Sequence, residues 1–160
     1  MAEGTEGLFR DAMAELCSGV AVVTGTRPDG HPCGLVATSV SAFSASPPSI
    51  LASIAHSSRC HTALVDGERF GVHVLAAGQA QIAHTFAGLG DDKFAGLPWR
   101  LEEGVPRFDG SVSFLVCRRS AVFELYDHTL VVGDVVGGEV YGGAPLVYMS
   151  RRMGWRLEPT

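Results

Sequence analysis

The 160-residue chain is 46% hydrophobic and 18% charged, a balance that supports a buried core and excludes a disordered chain. A formal net charge of -5 argues against nucleic-acid binding through a broad basic face, because phosphate neutralisation needs clustered Lys and Arg. The length suits a single domain over residues 1–160, and 20 Gly with 8 Pro point to many turns and a sheet-rich fold.

The first residues, MAEGTEGLFRDAMAELCSG, lack a basic start and a continuous apolar run, so they do not read as a secretory leader. Leu8, Phe9, Met13 and Leu16 recur at steps of three and four and predict a helix that Thr5 caps and Gly19 stops. Gly19 to Thr26, rich in Val and Thr, predicts a strand. Arg27-Pro28-Asp29-Gly30 is a turn, in which Pro presets one φ and Gly permits a positive one. A second strand over Cys33 to Ser44 completes a hairpin, and Pro47-Pro48 ends it. Ser49 to Ala55 is a third strand, and Ser57-Ser58 caps a short helix through Asp66. Arg69 to Ala76 alternates as a fourth strand, and Gln79 to Phe86 is a short helix. Gly88 to Gly110, rich in Gly, Pro and charge, reads as a long surface excursion. Val112 to Leu125 and Thr129 to Tyr141 are long strands joined at Tyr126-Asp127-His128, and Leu146 to Met149 is a short last strand. Strands that come mostly in hairpins favour an antiparallel barrel over a doubly wound parallel sheet. No apolar run approaches the ~20 residues of a membrane helix.

Several chemistries lack their motifs. No G-x-G-x-x-G follows a strand, and no P-loop or G-x-S-x-G elbow occurs. Cys17, Cys33, Cys60 and Cys117 form no C-x-x-C pair, and the six His form no H-E-x-x-H, so no metal site is expected. The cysteines read as reduced thiols of a cytoplasmic protein, with Cys60 the candidate reactive one because Arg59 precedes it.

Two constellations remain. Hydroxyls recur over Thr38, Ser39 and Ser41, and again at Ser57 and Ser58 before Arg59. They are either an exposed polar strand face or a ligand groove in which Ser57, Ser58 and Arg59, at a helix start, hold a phosphate. Asp127-His128 is either plain turn chemistry or a titratable His beside a carboxylate, able to hydrogen-bond a carboxamide or shuttle a proton.

In order and spacing, GVAVVTG (19–25), ATSVSAFSASPPSIL (37–51), SSRCHTAL (57–64), RFGVHVLA (69–76), DKFAG (92–96), DHTLVVGDV (127–135) and APLVYMSRRMGW (144–155) resemble one family. It is the short-chain flavin reductases, the reductase components of two-component flavin-dependent monooxygenases, in the FMN-binding split-barrel superfamily. The resemblance implies a mainly β fold, a six-stranded antiparallel Greek-key split barrel with flanking short helices, in a homodimer. It implies NADH- or NADPH-dependent reduction of FMN or FAD, with reduced flavin diffusing to a partner monooxygenase or halogenase. Carried over by residue, Thr38, Ser39, Val40 and Ser41 would line the isoalloxazine and ribityl chain. Ser53, Ile54 and Ala55 would lie along the same groove, and Ser57, Ser58 and Arg59 would meet the phosphate. Phe86 and Asp92-Lys93-Phe94 would close over the flavin. Asp127 and His128 would face the nicotinamide, with Tyr148 and Arg152 also on that side. The family commonly carries Gly before this Asp-His, where this chain has Tyr126. Either the turn then avoids a positive φ, or Tyr126 packs beside the site.

The rival readings are a flavin carrier or sensor without turnover on the same fold, and an oxidase of the pyridoxamine-phosphate branch. The oxidase needs a basic cluster for a second phosphate, which the sequence does not offer.

Overall fold

The computed structural model describes residues 2–160. Its elements are α1 (Ala2–Ala14), β1 (Ser18–Gly19), β2 (Ala21–Thr26), β3 (Pro32–Ala37), β4 (Ser41–Ala45), β5 (Pro48–Ala55), α2 (His61–Val65) and β6 (Arg69–Val74). There follow α3 (Ala80–Ala87), β7 (Trp99–Glu102), β8 (Val105–Phe108), β9 (Ser113–Leu125), β10 (His128–Val140), β11 (Val147–Met149) and β12 (Arg152–Met153). Among the described residues no helix is long and apolar enough to cross a membrane.

One seven-stranded sheet dominates, in the order β3-β2-β6-β9-β10-β5-β4, and every pairing in it is antiparallel. Its end strands β3 and β4 are not paired with each other. The sheet nevertheless curls, because Cys33 and Ala37 of β3 meet Ile50, Ala52 and Ile54 of β5 in one core cluster. The run Val20–Val23 is continuous rather than alternating because both of its faces are covered: Ala21 and Val23 enter that cluster, while Val20 and Val22 enter a second one with Phe86, Phe94 and Phe108. Two small sheets, β1-β11-β12 and β7-β8, complete the fold.

The mainly β, antiparallel expectation holds, as do the hairpins at residues 27–30 and 126–127. Four details differ. The first helix starts at Ala2, so Thr5 lies inside it rather than capping it, and it ends at Ala14, well before Gly19. Its Leu8, Phe9 and Met13 are exposed, as is Leu16 beyond its end. The expected second strand divides, because the chain leaves β2 after Ala37 and joins the opposite sheet end at Ser41, opposite Leu51. The expected surface excursion contains the β7-β8 hairpin, whose β8 is buried along its whole length, with Thr24 Oγ1 donating to Pro106 O at 2.7 Å. Its two-residue turn places Glu103 at φ 50° and Gly104 at φ 84°. A residue followed by Gly at paired positive φ is the signature of a tight hairpin, and Glu103-Gly104 was the signal available in the sequence.

Candidate active site

A cleft of about 330 Å³ opens between β3, the turn after β5 and the segment following α3. Cys33, Gly34 and Leu35 form one wall, residues 57–60 the second, and Phe86 through Asp91 with Lys93 and Phe94 the third. Ala55 and Arg27 also line it.

The second wall departs from expectation. Helix α2 begins only at His61 and has five residues, so Ser57, Ser58 and Arg59 do not sit on a helix N-terminus. They form the preceding turn, in which Ser58 N donates to Ala55 O and His61 N to Ser58 O, each at 3.0 Å. Ser58 Oγ accepts from Cys60 N at 3.2 Å. The backbone N–H groups of Ser58, Cys60 and His61 are thus engaged in the turn itself.

The third wall is anchored at two buried rings. Phe86 and Phe94 are buried and meet edge to face, with ring centroids 5.1 Å apart. Lys93 Nζ donates to Phe86 O at 2.7 Å, which fixes the ammonium at the cleft. Arg59 pairs with Asp91 across the opening. Arg27, which the sequence reading spent on a turn, was missed as a cleft residue; its Nε is buried without a hydrogen-bond partner. Its position at the end of an apolar strand, just before a Pro-Asp-Gly turn, gave no chemical signal. The cleft therefore carries Arg27, Arg59 and Lys93 against the single carboxylate of Asp91.

Two thiols share this cleft. Cys33 and Cys60 both line it, and Cys60 Sγ donates to Gly34 O, the neighbour of Cys33, at 3.2 Å. The neighbouring Cys33 thiol, helped by the Lys93 and Arg27 charges, outweighs burial and brings the Cys60 thiol down to about 7; Cys33 is pushed up by its Cys60 neighbour and by burial.

The second locus adjoins the first through Ala55, which lines the cleft and pairs with His128 across β5 and β10. His128 Nδ1 and Asp127 Oδ1 are 2.8 Å apart, and Asp127 O accepts from His56 N at 2.9 Å. The hydrogen bond from His128 holds the Asp127 carboxyl below the usual carboxylate range. Two further imidazoles, not singled out from sequence, stand here: His61 Nε2 lies 2.8 Å from Thr129 Oγ1, and the His56 and His61 rings meet edge to face at 5.1 Å. They became neighbours only when the β5 end met the start of β10.

Ala55, Ser57, Ser58, Arg59, Phe86, Lys93 and Phe94 thus come together at the cleft. Thr38, Ser39 and Ser41 are exposed and Val40 half-buried on the β3–β4 crossing; Ser39 Oγ donates to Ser53 O at 3.3 Å. Ile54 is buried in the core and does not line the cleft. Tyr148 packs on the second core cluster and Arg152 is exposed on β12; neither lines the cleft. Tyr126 has φ 56° and is 91% exposed, so the turn does take a positive φ and the ring does not pack beside the site within this chain.

The family described as flavin reductase like domain matches residues 13–155. The chain belongs to that family. It is 37% identical over 147 residues to the FMN reductase (NADH) of Agrobacterium fabrum, an alignment covering 91% of this chain and 83% of that protein. The reductase component of a 4-nitrophenol 4-monooxygenase/4-nitrocatechol 2-monooxygenase of Rhodococcus opacus is 32% identical, over 91% of this chain and 78% of the relative. Among solved structures, an NADH:FAD oxidoreductase of Streptomyces globisporus C-1027, in complex with NAD and FAD fragments, superposes with a TM-score of 0.89 at 30% identity. That match covers 96% of this chain and 93% of the other.

Proposed function

We propose that this flavin reductase uses NADH, with NADPH as the second donor, to reduce FMN or FAD, and hands the reduced flavin by diffusion to a partner monooxygenase or halogenase. The observation that carries the reading is the cation-lined cleft meeting Asp127-His128 at Ala55, in a chain of this family. Relatives named for NADH-dependent flavin reduction favour turnover over the carrier reading.

The donor set fits a flavin phosphate: three cations, the hydroxyls of Ser57 and Ser58, and a buried Arg27 Nε without a partner. Leu35, Phe86 and Phe94 supply apolar wall. A bound flavin supplies the N5 acceptor for a hydride from nicotinamide C4. Ser57, Ser58 and Arg59 hold the phosphate, and Arg59 exchanges Asp91 for it. Thr38, Ser39, Val40 and Ser41, with Ser53 and the backbone of Ile54 and Ala55, flank the ring and ribityl chain. Asp127 accepts the hydrogen bond from Nδ1–H of His128, which fixes the imidazole and leaves Nε2 to meet a nicotinamide carboxamide.

The six strands that feed the first core cluster, β2, β3, β5, β6, β9 and β10, are the six we read as the split barrel, in one domain over the chain. A second copy is the occupant we assign to the exposed apolar face of α1. Free cysteines suit the reducing cytoplasm.

The test is anaerobic mixing of protein, NADH and FMN or FAD while following flavin bleaching. Protein-dependent bleaching, faster with NADH than NADPH, is expected. Flavin that binds but bleaches with neither donor makes the protein a carrier. In His128→Ala, kcat/KM for NADH should fall about tenfold or more while flavin affinity holds; unchanged reduction removes His128 from the site.

A further inference from the structure

The reductase reading leaves the two cleft thiols without a task. Cys33 comes from β3 and Cys60 from the turn that starts α2, 26 residues along the chain from Gly34, yet Cys60 Sγ reaches the carbonyl of Gly34, next to Cys33. Both are 3% exposed, and both line the same cleft as Arg27 and Lys93. The other two cysteines have no such setting. Cys17 is exposed, and Cys117 lies in the core, where burial pushes its thiol up to about 12. Thiolates are the form that attacks peroxides, and neighbouring cations favour them.

We propose that Cys33 and Cys60 are a peroxide-sensitive dithiol, oxidised to a disulfide when the cleft is empty and shielded when a flavin fills it. The Cys60 thiolate attacks one oxygen of hydrogen peroxide; the O–O bond breaks, hydroxide leaves, and Cys60 becomes a sulfenic acid. The Cys33 sulfur then attacks the Cys60 sulfur, the S–O bond breaks, and water leaves with the Cys33 proton. Two thiols are oxidised and one peroxide is reduced to two waters. Hydrogen peroxide arises wherever dioxygen meets reduced flavin outside an oxygenase, so the oxidant belongs to the protein's own product. The low Cys60 value supports its assignment as the attacking sulfur. The shielding half of the proposal rests on the cleft being the flavin site; the dithiol half does not.

The experiment uses the whole chain as Cys17→Ser, which removes the exposed thiol, treated with hydrogen peroxide and quenched with catalase. Alkylation and peptide mass analysis should find a Cys33–Cys60 cross-link that a thiol reductant reverses. Its rate should rise from pH 6 to pH 8. With FMN at ten times its dissociation constant about one molecule in eleven has an empty cleft, so the rate should fall about tenfold. Adding Cys33→Ser should stop the chemistry at a Cys60 sulfenic acid that dimedone traps; adding Cys60→Ser should abolish the fast thiol loss. Absence of the cross-link, or thiol loss in Cys60→Ser at the parent rate, overturns the dithiol. A cross-link that forms equally fast under saturating FMN overturns the shielding. Failure of the reductase reading shows separately, as reduced protein that neither binds nor bleaches flavin.

Discussion

His73 on β6 and His128 at the start of β10 are the same side chain in opposite settings. The His73 ring stacks on Phe108 at 3.9 Å and leans on Phe114 at 4.6 Å, and it has no exposed surface. Its Nδ1 donates to Val22 O at 3.4 Å and its Nε2 accepts from Phe108 N at 3.3 Å, so both nitrogens serve the backbone. His128 keeps 43% of its side chain in solvent and engages only Nδ1, with Asp127. Burial also pushes His73 down from 6.5 to about 3, so it stays neutral at any ordinary pH. One imidazole is a packing piece with polar obligations; the other is poised for a ligand. The unengaged nitrogen, not the residue type, separates them.

The packed region should answer to mutation through stability. Arg107, 4% exposed, pairs with Glu102 and Glu139 and lies over the Phe114 and Tyr141 rings, 5.0 and 5.7 Å from their centroids. Arg107→Leu takes the cation from Glu139 and leaves Glu102 only Arg100, 3.8 Å away. It should lower unfolding free energy by about 3 kcal/mol in urea titration, with flavin reduction per folded molecule retained. A loss under ~0.5 kcal/mol, the scale of an exposed pair, would place Arg107 with surface ion pairs.

His73→Leu comes next, at about 2 kcal/mol, because the Phe108 N–H loses its acceptor inside the core. Its signature is the pH dependence. A pKa depressed on folding means that the unfolded chain takes the proton first. The His73 contribution is complete above 6.5 and is lost as pH falls towards 3. Urea midpoints at pH 7 and pH 4 should therefore lie closer together in His73→Leu than in the parent. An unchanged gap assigns the acid sensitivity to other groups.

The open region should answer through ligands. Arg59→Ala is expected to weaken FMN about tenfold, some 1.4 kcal/mol, and riboflavin hardly at all, because only the phosphate ligand exchanges with Asp91 at this guanidinium. Titration calorimetry with both ligands checks it, and equal losses count against the phosphate assignment.

The two regions also differ in what the sequence could reveal. The strands were legible because 19–26 is rich in Val and Thr, the sequence at 69–76 alternates, and the 27–30 turn carries its own chemistry. The cleft's second wall was legible through its family resemblance, although the helix start assigned to it was not there: Ser58 closes a turn before His61 opens α2. Arg27, Cys33 and His61 were illegible as site residues, because each gains its meaning from a partner far along the chain. The buried Arg107 hid inside a segment whose Gly and charge content imitates a loop.

The smallest effect is expected at the turn beside His128. Tyr126 holds φ 56° with its ring almost wholly in solvent. A non-glycine residue there costs about 1–2 kcal/mol in local sterics. Glycine removes that cost but adds about 0.5–1 kcal/mol of conformational entropy to the unfolded chain. Tyr126→Gly should therefore raise stability by under ~1 kcal/mol, from the difference of those two terms, and leave kcat/KM for NADH unchanged. Differential scanning calorimetry and steady-state kinetics read the two halves separately. A tenfold change in KM for NADH at unchanged stability would mean that the exposed ring meets the nicotinamide nucleotide, and that the open region extends past His128 onto the turn itself.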